Sequence, residues 1–390
     1  MFSSTSGLGH VQPMVPLARA LQARGHEVRW ATGADACAWL ERLGFATVEA
    51  GPTQVELAIE HDRRWPDDAR RWAASTEARR FARLFGEVAA PLTLGPLANL
   101  VSRWRPDVMV NDVSELAAPL VATLEGVAHA THAVGPAIPS ERIAAAADAV
   151  APLWSAAGVA PHAAAGLYDG MYIDIYPASM AVGDASARGE VVWRRPESGD
   201  AMPGERLLPE IDNALRLRPD RPNVYLTFGT SGATAPGFAA AIAAVARMDV
   251  TVIATVGPRG DVNAFGRLPA HVHVVGYVPQ SLLVPHCSAV VSHAGSGVIL
   301  NSLARGLPQL CLPLGGDQFA NAQACAALGA GLALSDDEVT ADAIERDLTA
   351  LLTHPSYRAA AMRVRDEIAM MPSPGDVATE LEWLGARLDH

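Results

Sequence analysis

Short apolar runs alternate with amphipathic stretches along most of the chain, in two blocks separated by a proline-rich interval. In the first block, residues 1–4 (MFSS) form a clipped apolar strand and residues 15–24 carry apolar positions at helical spacing. HEVRWAT at 26–32 returns to an extended pattern, and 35–43 is helical again. RPDVMVNDV at 105–113 restores a strand. This alternation predicts a parallel sheet flanked by helices, because parallel strands need crossovers long enough to hold one. The brevity of the first run predicts a natural chain that begins a few residues earlier.

The second block repeats the rhythm. NVYLTF (223–228) is followed by a helix at 238–247 and then by DVTVIATV, HVHVVGY, AVVS, LPQLCLP and GLALS. Between the blocks, 195–222 accumulates prolines and charges without periodicity and reads as a linker. The expected organisation is a Rossmann-like domain over 1–194, the linker at 195–222, a second Rossmann-like domain over 223–371 and a final helix over 372–390. Within the first block, 51–100 departs from the rhythm into charged, Trp-bearing helical sequence (HDRRWPDDARRWAASTEARRFARLFGEV). This is either a wall over a site or a solvated helical hairpin. The Ala-, Pro- and His-containing stretch at 133–170 is a second candidate for lining a pocket.

Composition narrows the chemistry. At 390 residues, half of them hydrophobic, the chain can build two cores. The net charge of −12 argues against a nucleic-acid partner, which requires clustered positive charge. All 30 basic residues are arginine, so neither a P-loop lysine nor a Schiff-base lysine is available. Four cysteines, Cys37, Cys287, Cys311 and Cys325, show no metal-ligand spacing and read as small buried apolar residues. With no long apolar run and no charged leader, the expectation is a cytoplasmic protein without integral membrane segments.

Residues 293–322, HAGSGVILNSLARGLPQLCLPLGGDQFANA, carry the most specific chemistry. AVVS is a buried strand and VILNSL starts a helix, so HAGSG lies on the turn between them. Gly295 and Gly297 would let a ligand approach the backbone, and the first-turn amides of the helix form an anion site. His293 and Ser296 add side-chain donors. Asp317 and Gln318 follow the next strand, where ligands bind in open α/β sheets, and a carboxylate beside an amide suits sugar hydroxyls. Near the N-terminus, GLGHVQP places His10 on the turn after the first strand. It is not the dinucleotide fingerprint, because Gln12 stands where the third glycine is needed.

HAGSG, the helix carrying Asn301, GLPQLCLP and DQFANA together resemble the donor-binding signature of nucleotide-sugar-dependent glycosyltransferases with the GT-B fold, in particular the bacterial branch that decorates antibiotics. The resemblance implies an α/β protein of two Rossmann-like, doubly wound domains facing across a cleft, the first binding an acceptor and the second a nucleotide-sugar donor, with the last helix crossing back to the first domain. It implies that His10, in its GHxxP context, is the general base, and that Asp112 at the end of DVMVND orients it; Asp107 is the competing carboxylate. It further implies that Thr230 and Ser231 of FGTSG contact phosphate, and that Tyr277, Val278 and Gln280 recognise the base. Asn301 stands where many members carry a glutamate that holds both ribose hydroxyls, which inclines the donor toward a dTDP-sugar over a UDP-sugar. No Asp-x-Asp lies at a strand end, so no metal or other cofactor is expected. The expected reaction is inverting transfer to a small hydrophobic aglycone, in a chain that could form a homodimer. A nucleotide-sugar epimerase on the same plan and a non-catalytic sugar-nucleotide-binding homologue are the alternatives.

Overall fold

The structure, a computed structural model, describes residues 1–67, 77–181, 188–202, 204–229, 235–257 and 260–386. The chain divides into two units. One comprises Met1–Tyr176, Gly183–Arg195 and Met371–His390; the other comprises Pro177–Val182 and Pro196–Met370.

In the first unit, β1 (Phe2–Ser3), β2 (Arg29–Thr32), β3 (Ala46–Glu49), β4 (Val108–Asp112), β5 (Ala128–His132), β6 (Met171–Asp174) and β7 (Glu190–Trp193) form a parallel sheet in the order β3-β2-β1-β4-β5-β6-β7. In the second, β8 (Asn223–Thr227), β9 (Thr251–Thr255), β10 (Val272–Val275), β11 (Ala289–Ser292), β12 (Gln309–Cys311) and β13 (Gly331–Ala333) follow the order β10-β9-β8-β11-β12-β13. Both sheets are doubly wound: the chain works outward from its first strand on one side, then returns to that strand's other side. The switch points, between β1 and β4 and between β8 and β11, are where the C-terminal loops part and leave a crevice.

The hydrophobic alternation predicts β1, β2, β4 and every strand of the second sheet. It does not reveal β3, β5, β6 or β7. The sequence of β5, AHATH, carries two histidines and a threonine, yet most of it is buried because a central parallel strand is covered on both faces.

The core of the first unit is aromatic near β1. Phe2 stacks on Trp30 at 4.9 Å, and Trp30 meets Phe45 edge-on at 5.7 Å. The buried indole N–H of Trp30 donates to Ser4 Oγ at 2.9 Å, which relieves the cost of burying it. In the second unit Val224, Leu226, Val252, Ala254, Val291 and Leu310 pack with Phe228 and Phe238 on one face of the sheet.

Three features depart from the sequence pattern. The interval 195–222 contains a helix, Pro209–Leu217, whose Ile211, Ala214 and Leu215 sit in the second unit's core with Tyr225, Ile253 and Val290. Its flanking prolines and charges hide this apolar stripe. Residues Glu77–Phe81, Ala82–Ala89 and Ala90–Trp104 run on as a helix with π-helical turns in the middle. Pro91 has no N–H for the carbonyl four residues back, so Glu87 O accepts from Arg64 Nη1 at 3.0 Å, and the backbone widens around it. The expectation of no long apolar run therefore needs correction, since this stretch is long and apolar enough to cross a bilayer. Ala82, Val88, Ala89, Leu97 and Val101 on it are buried within the protein, and Gly86 approaches Ala149 so closely that a Cβ would lie 2.6 Å from the Ala149 methyl.

The last helix, Pro374–Ala386, packs on Val15–Ala23 within the first unit. Glu382 on it takes Arg24 Nε and Nη2 at 2.8 and 2.6 Å and His26 Nε2 at 2.7 Å. The Arg195 N–H donates to Pro372 O at 2.7 Å, so the chain leaves and re-enters the first unit at one point.

Candidate active site

In the first unit the switch point is flanked by the residues carrying the candidate chemistry. Asp112 ends β4, and His10 sits in Leu8–Val11, the helical turn after β1 that continues toward Val15–Ala23. Gly7 at its start packs close to both neighbours: a Cβ there would lie 3.0 Å from His10 Cδ2 and would displace the Gln54 amide, 2.7 Å away at Nε2. His10 Nδ1 lies 3.2 Å from Asp112 Oδ1.

Asp112 is fully buried. Its Oδ2 accepts the Thr5 N–H at 2.7 Å and the Thr5 hydroxyl at 3.2 Å, and its Oδ1 accepts the Ser114 N–H at 2.6 Å. Burial pushes its pKa up. The charge and hydrogen bond of His10, with the Ser114 and Thr5 amides, outweigh burial and hold the carboxyl below the ordinary aspartate value. A carboxylate fixed in this way accepts a hydrogen bond from Nδ1–H, keeps the proton on Nδ1 and leaves the lone pair on Nε2, the position a general base needs. The His10 side chain is 25% exposed, so the imidazole is accessible while its partner is not. Phe85, on the π-helical turns, places its ring 5.7 Å from that of His10. Asp107 precedes β4, at the opposite end of the strand from Asp112.

In the second unit the corresponding switch point holds His293, directly after β11. Its ring is clasped by two glycines. A Cβ on Gly229, which follows β8 at φ +71°, would lie 3.1 Å from the ring, and one on Gly295 would lie 2.6 Å from Nε2. Gly295 therefore makes room for His293, in addition to the ligand approach expected of it; nothing lies within 4 Å of a Cβ on Gly297. Burial pushes the His293 pKa down, against the pull of Asp317 and the Thr227 backbone, and keeps the ring neutral; Nδ1 has no hydrogen-bond partner among the described residues. Gly295→Ala is expected to push the ring aside and lower stability by about 1–3 kcal/mol, the usual range for overpacking. Equilibrium denaturation checks this, and an unchanged midpoint would refute the clasp.

Gly295 is the N-cap of Ser296–Leu303. The Ser296 hydroxyl donates to Asp317 Oδ2, and Asn321 Nδ2 donates to Ala294 O at 2.9 Å and lies 3.2 Å from both Ser296 Oγ and Asp317 Oδ2. Ser296, Asp317 and Asn321 thus lock the HAGSG turn to the helix Gln318–Ala327. Gln318 Oε1 accepts the Leu314 and Gly315 amides at 2.8 and 3.2 Å, which leaves its NH2 for a ligand.

Further along the first of these helices, Asn301 Nδ2 donates to Gln280 Oε1 at 3.1 Å. Gln280 opens the turn Gln280–Leu283, and its N–H is taken by Asp200 Oδ2 at 2.5 Å. Tyr277 is 38% exposed, whereas Val278 is buried in the core with Val298, so only the backbone of Val278 can meet a ligand. Thr230 and Ser231 lie outside the described residues.

Three contributors escape a reading of the sequence. Asn321 could have been found, since it stands four residues after Asp317 on one helix face. Asp200 lies in aperiodic, proline-rich sequence and gives no signal. Phe85 sits on π-helical turns, where a period of 3.6 misplaces every side chain.

The chain is similar to known proteins through both of its units. The N-terminal and C-terminal domain models of the "Erythromycin biosynthesis protein CIII-like" family match residues 19–195 and 239–384. The chain is 34% identical to elloramycin glycosyltransferase ElmGT of Streptomyces olivaceus, over 97% of this chain and 95% of that one. Among solved structures it resembles the glycosyltransferase SnogD from Streptomyces nogalater (TM-score 0.79, 29% identity, 98% of each chain). It also resembles the glycosyltransferase VinC in complex with dTDP (TM-score 0.79, 26% identity, 99% of this chain and all of that one). Paired doubly wound sheets, each with its candidate chemistry at the switch point, and a match running through both halves place the chain in the erythromycin biosynthesis protein CIII-like family of GT-B glycosyltransferases, the antibiotic branch of the UDP-glycosyltransferase superfamily.

Proposed function

We propose that this glycosyltransferase moves a deoxysugar from a dTDP-sugar to a hydroxyl of a small hydrophobic natural product, with inversion at the anomeric carbon and without a metal. The observation that carries the mechanism is the His10 Nδ1–Asp112 Oδ1 contact of 3.2 Å on a buried, fixed carboxylate. His10 Nε2 takes the acceptor's hydroxyl proton, and Asp112 stabilises the imidazolium. The acceptor oxygen forms its bond to the anomeric carbon as the bond to the diphosphate breaks, and the leaving dTDP keeps the electron pair. One displacement inverts the centre and needs no protein nucleophile.

The leaving group is received by His293 and the first-turn amides of Ser296–Leu303, whose dipole favours negative charge. The buried Nδ1 of His293, which lacks a partner among the described residues, supports this reading. Asn301 lies five residues beyond Ser296, about 7.5 Å along the helix axis, and meets the nucleotide beyond its phosphates. Its bond to Gln280 commits one donor of Asn301 and the acceptor of Gln280. That leaves fewer acceptors than a glutamate would offer to a ribose with two hydroxyls, and supports a deoxyribose donor. The natural-product acceptor is supported by the relative's name, elloramycin glycosyltransferase, and dTDP by the nucleotide seen in VinC.

A thermal-shift comparison of dTDP and UDP, with and without EDTA, tests the donor half. A nucleotide at a hundredfold its Kd stabilises by about 2.7 kcal/mol. The expected result is a clear rise in Tm with dTDP, a smaller rise with UDP and no effect of EDTA. No shift with either nucleotide would sink the donor assignment, and equal shifts would sink the deoxyribose preference.

A further inference from the structure

Three residues beyond Asp112 lies a second buried carboxyl that the transfer chemistry does not use. The Glu115 N–H donates to Asp112 O at 3.0 Å, and the residue is 3% exposed. Its Oε2 accepts from Ser3 Oγ of β1 at 2.7 Å, and its Oε1 accepts the Ala117 N–H at 2.9 Å where the helix Ala118–Glu125 begins. Both donors are neutral. The ionisable group facing Glu115 is Asp112, with His10 beyond it. On β5, the register partner of Asp112 is His132, fully buried and held neutral by that burial and by Arg194.

We propose that Glu115 is a positioning residue for the His10–Asp112 pair and that its carboxyl, acting through Asp112, sets the basicity of His10. This rests on the reading of that pair as catalytic. Ser3 and Asp112 belong to β1 and β4, the strands that bracket the switch point, so Glu115 is held from both sides of the crevice in which His10 stands. Two carboxylates buried side by side repel, and one of them keeps its proton. Asp112 has a histidine and two amides to hold its charge, whereas Glu115 has one hydroxyl and the backbone. Burial therefore pushes Glu115 up to about 7, Asp112 adding to the rise and the Ser3 and Ala117 donors opposing it. When Glu115 releases its proton to solvent, a second negative charge appears behind Asp112 and His10 holds its own proton more tightly. Protonated Glu115 makes His10 the weaker base and ionised Glu115 the stronger, within the range where imidazole titrates.

The test reads His10 directly, so it needs neither donor nor acceptor. In protein labelled at its 12 histidines, the His10 ring Cε1 resonance is assigned by its loss in His10→Gln and followed from pH 5 to 9. The wild-type curve is expected to be broader than a single-proton titration, because protonation of His10 favours ionisation of Glu115. In Glu115→Gln, which keeps the shape and the Ala117 bond and turns the Ser3 bond round so that the amide NH2 donates to Oγ, the curve should narrow to a single step with its midpoint lower by on the order of half a pH unit. Ser3→Ala leaves the carboxyl but strips one donor, so the broadening should move to higher pH; it decides the matter if Glu115→Gln does not fold. Superimposable curves in the wild type and the folded variants would overturn the proposal while leaving the catalytic reading intact. Coupling in a protein whose His10→Ala variant still transfers sugar would instead overturn the catalytic reading, and with it the positioning role of Glu115.

Discussion

His10→Ala is expected to lower the turnover of sugar transfer by a factor of about 10²–10⁴, the range a positioned general base contributes, while leaving dTDP affinity unchanged. The split follows from the placement of the groups. His10 follows the first strand of one sheet, and the residues assigned to the nucleotide follow β11 and β12 of the other. Removing the imidazole leaves Asp112 with Thr5 and Ser114, so the carboxylate keeps three of its donors and the fold should survive. Steady-state release of nucleoside diphosphate in the presence of acceptor measures turnover, and the dTDP-induced rise in Tm measures the donor site. Turnover within about threefold of the wild type would remove His10 from the chemistry. Loss of the dTDP response together with turnover would mean that the substitution damaged the protein as a whole.

The largest expected effect on stability is a dependence on pH centred on Glu115. An unfolded glutamate titrates at the ordinary 4.5, whereas burial moves the folded group to about 7. Below 4.5 both states hold the proton and nothing is lost. Between 4.5 and 7 the unfolded chain ionises while the folded protein does not, so stability falls as pH rises, and above 7 the loss is complete and constant. The gap corresponds to about 3 kcal/mol. Glu115→Gln cannot ionise, so it should match the wild type near pH 4.5 and exceed it by about that amount at pH 8.5. Urea denaturation of both proteins at the two pH values checks this. An advantage for the variant that is equal at both pH values, or larger at the lower one, would show that Glu115 does not bear the cost of ionisation.

Much of this was legible in the chain and some was not, for physical reasons. The strands of the second sheet are apolar runs between turns, and a buried parallel strand has to look like that. His10, Asp112, His293, Ser296 and Asp317 could be named because each lies next to such a run, at the end where ligands bind. β5 stayed hidden because AHATH advertises no hydrophobicity: its place as a central strand buries it, even though both ring nitrogens of His132 lack a hydrogen-bond partner among the described residues. Phe85 stayed hidden because its helix is wound to a different period. The role of Gly295 was only half legible: a glycine before a helix suggests room for a ligand, and three-dimensional packing is needed to show that the histidine two residues earlier occupies that room. Glu115 reads as an ordinary glutamate near a helix start, and only the closure of β1 against β4 turns it into a buried acid.

The hydrogen bond from the Arg195 N–H to Pro372 O has a bearing on how such a chain can be recombined. From the viewpoint of the first unit, the whole stretch between those residues is a cassette whose two ends touch; Pro177–Val182 is the other segment grouped with the second unit. Exchanging a cassette of this kind between relatives changes the loop that the host must close by little, because its ends are already together. The cut that respects the fold is therefore a pair of cuts, at 195 and 371. A single crossover in the middle of the chain would hand the host a foreign C-terminal helix to dock against Val15–Ala23, and would separate Glu382 from the Arg24 and His26 it grips.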